Sequence, residues 1–217
     1  QLVENQNLEH QLAYLRYQIN PHFYMNTLNN IHALVDINPE RAKTNIVELS
    51  KMLRYVLYDA NRESVSLKKE IEFLRHYFRL MSLRFTDDIK TSLTVPERMT
   101  DCNVPPLLLI IFAENAFKHG ISYSGQSFVE VSIDVADGNV VFTCSNSKHT
   151  AKPTCEKGGV GLVNVRKRLD LLYDTNYKLE IKDSEQRFDV KLVMPVLKER
   201  PQDKTVNNGS DKNGKQG

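Results

Sequence analysis

Two short segments hold the residue types that could do chemistry. Gln18-Ile-Asn-Pro-His22-Phe-Tyr-Met-Asn26 sets a histidine between two amides at intervals of four. On a helix, Gln18, His22 and Asn26 share one face. A neutral imidazole carries a ring-nitrogen lone pair, so His22 is a candidate nucleophile toward a phosphoryl group. Far along the chain lies Glu114-Asn115-Ala-Phe-Lys118-His119-Gly120. The Asn115 amide oxygen has the chemistry to join phosphate oxygens and water around magnesium. Lys118 and His119 supply donors for an anionic phosphate. The same pair would equally complement a helix C-terminus, with Gly120 as a left-handed stop. Gly158-Gly159-Val-Gly161-Leu162-Val-Asn164 completes the set. Its glycines let backbone N–H groups approach phosphates, and the helix start behind them favours negative charge. The hydrophilic stretch 147–157 before it is short enough to be a lid. In this order the segments point to a phosphate donor site and a phosphate acceptor in one chain.

The elements that must position these residues follow from periodicity. Leu8, Leu12, Leu15 and Ile19 are spaced four, three, four, the rhythm of a coiled-coil seam. Tyr24, Leu28, Ile31 and Val35 repeat it after a slip at Pro21, where a helical hydrogen bond is lost and a kink is expected. The slip rotates the seam and should turn His22 outward. Rotating the incoming helix would then expose or bury that histidine. Asn38-Pro39-Glu40 reads as an N-cap, a first-turn proline and a first-turn acid. The helix it opens carries Ile46, Leu49, Leu53, Val56 and Ala60 on one side. A short connection predicts an antiparallel hairpin, and two hairpins would make a four-helix homodimer. Ser66 is the expected cap of a third helix, with Ile71, Leu74, Phe78, Met81 and Phe85 in register.

From Ile89 the period changes. Ile89, Thr91, Leu93 and Val95 alternate with polar residues, as do Val129, Val131, Ile133 and Val135. Asp137-Gly138-Asn139 is a turn signal before a strand through Val141 to Cys144. A second hairpin is expected from Tyr177, Leu179 and Ile181 and then Phe188, Val190, Leu192 and Met194. Helices are expected between, over 106–119 and 162–173. The fold class is α+β, one mixed sheet covered by helices. The expected divisions are a helical dimerisation and phosphoacceptor region over 1–85, a nucleotide-binding domain over 86–198 and a disordered tail over 199–217.

Composition narrows the partners. Of 217 residues 41% are hydrophobic and 26% charged, an ordinary globular balance. A formal net charge of +2 gives no sign of a nucleic-acid surface. Cys102, Cys144 and Cys155 form no C-x-x-C pair, which argues against a disulfide framework or zinc site. The apolar run 105–113 is too short to cross a bilayer. The chain opens inside a helical pattern without methionine, and is expected to be the cytoplasmic end of a longer membrane protein.

At this point the chain resembles the LytS-type sensor histidine kinases. Their Q-x-x-P-H-F-x-x-N motif is matched from Gln18 to Asn26, which implies His22 as phosphoacceptor. Their P-P-x-x-L-x-x-x-x-x-E-N-A-x-K-H-G motif is matched from Pro105 to Gly120, which implies Asn115 as a magnesium residue. Their G-x-G-L-x-N-x-x-x-R-L motif is matched by Gly159, Gly161, Leu162, Asn164, Arg168 and Leu169. The resemblance covers roughly 8–197. It implies a Bergerat-type sandwich of the GHKL superfamily of gyrase-like and MutL-like ATPases, with ATP and Mg²⁺ bound. It also implies a homodimer, an upstream membrane sensor, a bacterial source, and transfer from His22 to an aspartate on a response regulator.

Two departures stand out. Relatives in the wider superfamily bind adenine through an aspartate in D-x-G-x-G, where this chain reads Cys144-Ser145-Asn146-Ser147. Asn146 is then the candidate for the base. Other histidine kinases place an acid directly after the phosphoacceptor, and here that residue is Phe23. Asn26 has two readings: a part in dephosphorylating the regulator, or a polar residue fixing coiled-coil register. Two other functions compete with the kinase: a phosphatase-biased or non-catalytic signalling scaffold, and an ATPase that uses nucleotide only for conformational change, with Glu114 activating water.

Overall fold

The computed structural model describes residues 21–85, 89–97, 101–122, 126–148 and 160–197. The seam 8–19, the incoming side of the Pro21 kink, Gly158, Gly159 and the tail lie outside them, as does nearly all of the expected lid.

Asn38 punctuates the hairpin. Helix α1 spans Pro21–Ile37 and α2 spans Pro39–Arg54. The Asn38 side-chain oxygen accepts a hydrogen bond from the Arg41 N–H at 3.0 Å, with Pro39 in the first turn, as expected of this triplet. The face that α1 turns inward is carried by Phe23, Thr27 and Ile31, and that of α2 by Ala42, Asn45, Leu49 and Met52. This differs from the expected stripes. Leu28 and Val35 of the α1 seam are 49% and 48% exposed, and Ile46 of α2 is 52% exposed. A third helix, α3 (Leu67–Ser82), claims the other face because the aromatic rings lie there: Phe23 meets Tyr77 at 5.0 Å between centroids. The hairpin is therefore apolar on two sides, one packed within the chain.

Beyond Arg54, α2 continues as one wide π-helical turn, Tyr55–Asp59. There Tyr55 stacks on Phe73 of α3 at 4.7 Å. Helix α3 opens with the Ser66 hydroxyl accepting from the Lys69 N–H, and it buries Ile71, Leu74, Phe78 and Met81 as their spacing requires. It stops at Ser82, before Phe85, whose ring nonetheless stacks on Phe117.

The remaining strands form one five-stranded sheet in the order β2-β4-β5-β7-β6. They are β2 (Ile89–Thr94), β4 (Ser127–Ala136), β5 (Asn139–Ser147), β6 (Lys178–Asp183) and β7 (Arg187–Pro195). β2 runs parallel to β4, and every other pairing is antiparallel. A small ladder joins β1 (Val65–Ser66) to β3 (Asn103–Val104). The β4–β5 turn places Asp137 at φ 51° and Gly138 at φ 73°, the left-handed pair of a tight hairpin. Val129, Val131 and Ile133 point into the core while Glu130 and Asp134 face outward. Over the inward face lies α4 (Leu109–Gly120), with Phe112 against Phe142 at 5.5 Å and α5 (Val160–Tyr173) beside it. Helix α4 begins later than the expected 106 because Leu107 takes φ 55°. That left-handed conformation costs a residue with a side chain about 1–2 kcal/mol. One continuous core runs from Phe23 in α1 to Met194 in β7.

Glu48 is a buried acid joining α2 to α3. Its carboxylate meets His76, Arg79 at 3.3 Å and Lys51 at 3.7 Å. Burial pushes this carboxyl up, but the hydrogen bond and charge of His76, with Arg79 and Lys51, hold it below its ordinary value. Its contribution to stability is thus full above the ordinary carboxylate range and is lost as pH falls through the lowered folded value. A Glu48→Gln protein should melt below the parent at neutral pH, and the gap should close in acid; thermal melts across that range check this.

Candidate functional site

His22 lies in the first turn of α1, exposed, as the seam slip predicts. The Asn26 amide nitrogen lies 3.1 Å from His22 Nδ1 and 3.4 Å from Nε2, a spacing set by one helical turn. Phe23 and Tyr24 are what fix this end of α1. Phe23 is buried against Tyr24 and Tyr77, and the Tyr24 hydroxyl is buried without a hydrogen-bond partner among the described residues. Burial and then the charge of Glu114 push the Tyr24 hydroxyl up, and the same two causes act on Tyr77. Glu114 is itself pushed up to about 7 by burial. The acid preceding Asn115 on α4 is therefore close in space to the residue two beyond His22. Sequence spacing gives no hint of this.

At the C-terminal half of α4 the expected nucleotide residues gather. Asn115 faces the start of α5: a Cβ added to Gly161 would lie 3.3 Å from Asn115 Nδ2 and 3.4 Å from Oδ1. Leu162 packs on the core, and Asn164 follows two residues further along α5. Lys118 and His119 are exposed on the last turn of α4. Burial, and then the Lys118 charge, hold His119 below the ordinary histidine value. Gly159 lies outside the described residues.

Gly120 departs from expectation. It is not a left-handed stop, since Gly138 is the glycine with positive φ among those described. Its lack of a side chain serves close approach instead. A Cβ there would sit 2.6 Å from the Cβ of Asn146, which is buried at the end of β5. The Asn146 amide donates to the Ser147 carbonyl at 2.8 Å, and the Ser147 hydroxyl donates to the Gly120 carbonyl at 2.6 Å. Strand β5 and helix α4 are thus locked end to end, with Asn146 against Gly120, the last residue of α4. Asp189, paired with Ser145 across β5 and β7, is engaged by the Ser145 hydroxyl at 2.5 Å and by Arg187 at 2.6 Å.

The structure brings Asn115 to Gly161 and Gly120 to Asn146, and sets Lys118 and His119 on the last turn of α4. His22 and Asn26 form a separate pair on the hairpin. No group of three or more His, Cys, Asp or Glu among the described residues could hold a metal ion. An ion here would take its ligands mainly from phosphate and water, with an amide oxygen such as that of Asn115. Such a set suits magnesium, which keeps several non-protein oxygens.

A histidine-bearing helical hairpin packed onto an α+β sandwich is thus the architecture. Residues 10–89 match the family model described as "Histidine kinase". A "Sensor protein LytS" of Oceanobacillus iheyensis is 31% identical over 86% of this chain and 34% of its own length. The "Sensor histidine kinase YpdA" of Escherichia coli is 32% identical over 75% of this chain and 30% of its own. The histidine kinase domain of a blue-light activated kinase from Erythrobacter litoralis superposes with a TM-score of 0.47 at 16% identity, covering 88% of this chain and 96% of that one. Over most of its length the chain is similar to sensor histidine kinases of the LytS type. It spans about a third of the length of the curated relatives it matches. No described helix is long and apolar enough to cross a membrane.

The Gly120 contact yields a direct test. Gly120→Ala must displace Asn146 or the end of α4, at a cost of about 1–3 kcal/mol. Urea denaturation of the two proteins should show that loss, with the spectral signature of the fold retained.

Proposed function

We propose that this chain is the kinase portion of a two-component sensor, which phosphorylates His22 from Mg·ATP and passes the phosphoryl group to an aspartate of a response regulator. What carries the reading is the packing of the His22-bearing helix, through Phe23 and Tyr24, onto the elements that hold the Asn115 segment. A scaffold without nucleotide chemistry has no need for that junction.

In this reading Asn115 binds the magnesium ion, whose charge offsets that of the phosphates. Lys118, His119 and the backbone at Gly159 and Gly161 hold phosphate oxygens, Leu162 and Asn164 form the helix start behind them, and Asn146 meets the base. Asn26 orients the nucleophile. Its amide nitrogen faces the ring at 3.1 Å from Nδ1 and 3.4 Å from Nε2, and the neutral imidazole offers a nitrogen lone pair. That lone pair attacks the γ-phosphorus in line, the P–O bond to the β-phosphate breaks, and ADP departs. The phosphoramidate on His22 then transfers its phosphoryl group to a carboxylate, restoring the imidazole. Phe23 supplies no acid beside the nucleophile, and a neutral imidazole needs none to attack.

The working form in this reading is a homodimer, seated on the outer apolar face of the hairpin. Leu28, Val35, Ile46, Leu53 and Leu57 are all exposed there. The cytoplasmic position, beneath an upstream membrane sensor, belongs to the same proposal.

Two experiments test this function. Intact-mass and acid-lability analysis after incubation with Mg·ATP should find one acid-labile phosphate on the parent, absent from His22→Gln and Asn115→Ala. Nucleotide binding without phosphate on any variant would favour a scaffold instead, and phosphate release persisting in His22→Gln would favour an ATPase. In sedimentation equilibrium the parent should be dimeric, and Leu28→Glu with Leu53→Glu should shift it to monomer.

A further inference from the structure

Glu70 of α3 has no exposed surface. Donors from two other parts of the chain converge on its carboxylate. The Tyr55 hydroxyl, in the π-helical turn that ends the hairpin, donates to Oε2 at 2.5 Å. The Leu107 N–H donates to Oε2 at 3.1 Å, and the Leu109 N–H donates to Oε1 at 3.3 Å. From the opposite side Arg168 of α5, itself buried, donates Nη2 to the Pro106 carbonyl at 2.5 Å and Nη1 to the Leu107 carbonyl at 3.3 Å. The Pro106-Leu107 step is thus gripped by its N–H side and its carbonyl side at once. This accounts for the left-handed φ of Leu107, and for an arginine in the glycine motif whose guanidinium answers to the Pro-Pro motif.

The junction sits at the N-terminal end of α4, and Asn115 lies about 9 Å further along the same helix. A rigid helix carries a displacement of one end to the other. The π turn is the wide, strained kind of turn that recurs at functional sites, and turning α2 moves its first residue, Tyr55. Withdrawing that hydroxyl leaves a buried carboxylate short of a donor, so the bond favours two arrangements, made or broken, over a continuum.

We propose that Tyr55 is a positioning residue whose hydrogen bond to Glu70 couples the phosphoacceptor hairpin to the nucleotide helix α4. The bond transmits in both directions: rotation of α2 is felt at Leu107–Leu109, and nucleotide held at the far end of α4 is felt in the π turn. This rests on the kinase reading above, because the ligand it couples to is the nucleotide.

The test compares the parent with Tyr55→Phe, which keeps the ring on Phe73 and removes the hydroxyl alone. Amide hydrogen exchange is followed with and without a non-hydrolysable ATP analogue and magnesium, alongside calorimetric affinity and the rate of His22 phosphorylation. In the parent, nucleotide should slow exchange across 52–60 by about fivefold or more. In Tyr55→Phe that protection should vanish while the affinity stays within about threefold, and phosphorylation at saturating ATP should fall with KM unchanged. A merely structural role would lower the melting temperature and leave that split unmoved. Equal protection in both proteins, or none in the parent despite tight binding, would overturn the coupling alone. A parent that binds no nucleotide would overturn the kinase reading and take the coupling with it.

Discussion

Helix α4 is apolar on nearly every side, and this constrains everything around it. Leu109, Ile110, Phe112, Ala113, Ala116 and Phe117 are all buried, between the sheet on one flank and the aromatic layer of α3 on the other. A helix enclosed in this way has no solvated face on which to carry chemistry. Its polar residues are confined to the last turns, where Asn115, Lys118 and His119 stand. Its beginning has the opposite difficulty, because N–H groups there have no helical partners and no water. Glu70 answers that difficulty with a side chain from another helix.

The same enclosure explains how the hairpin is held. Rings of Phe23, Tyr77 and Phe117 pass contact from α1 through α3 to α4, each pair within 5.6 Å between centroids. Such pairs contribute beyond the area they bury. Because Phe23 is committed inward, its neighbour His22 faces solvent. The residue that replaces an acid beside the histidine is therefore the anchor that orients it.

Much of this was legible from local rules. Asn38-Pro39, Ser66 and Asp137-Gly138 each act through their own backbone, so their roles needed no tertiary knowledge. The alternating strands were equally plain, since one face of the sheet is covered and the other solvated. What escaped was decided by contacts between distant segments. Periodicity marked Leu28 and Ile46 as apolar but could not tell which of two apolar faces α3 would choose. Gly120 resembled a helix stop, and only the approach of Asn146 reveals a packing glycine. Glu70 sits in a register that suits a first-turn acid, and Arg168 is one motif letter among several. Neither position signals that both side chains would meet at Pro106-Leu107.

The two ends of the sheet behave differently from the helices. β6 lies at one margin, its outer backbone unpaired among the described residues, and its short sequence Lys178-Leu-Glu-Ile-Lys-Asp183 puts charge at four of six positions. β2, at the other margin, is equally short and carries Lys90, with Pro96 just beyond it. Short, charged margins disfavour strand-to-strand stacking between molecules. Crowded copies of this protein are thereby discouraged from growing into ribbons, and any surface meeting is left to the oily side of the helices, where growth can stop at two.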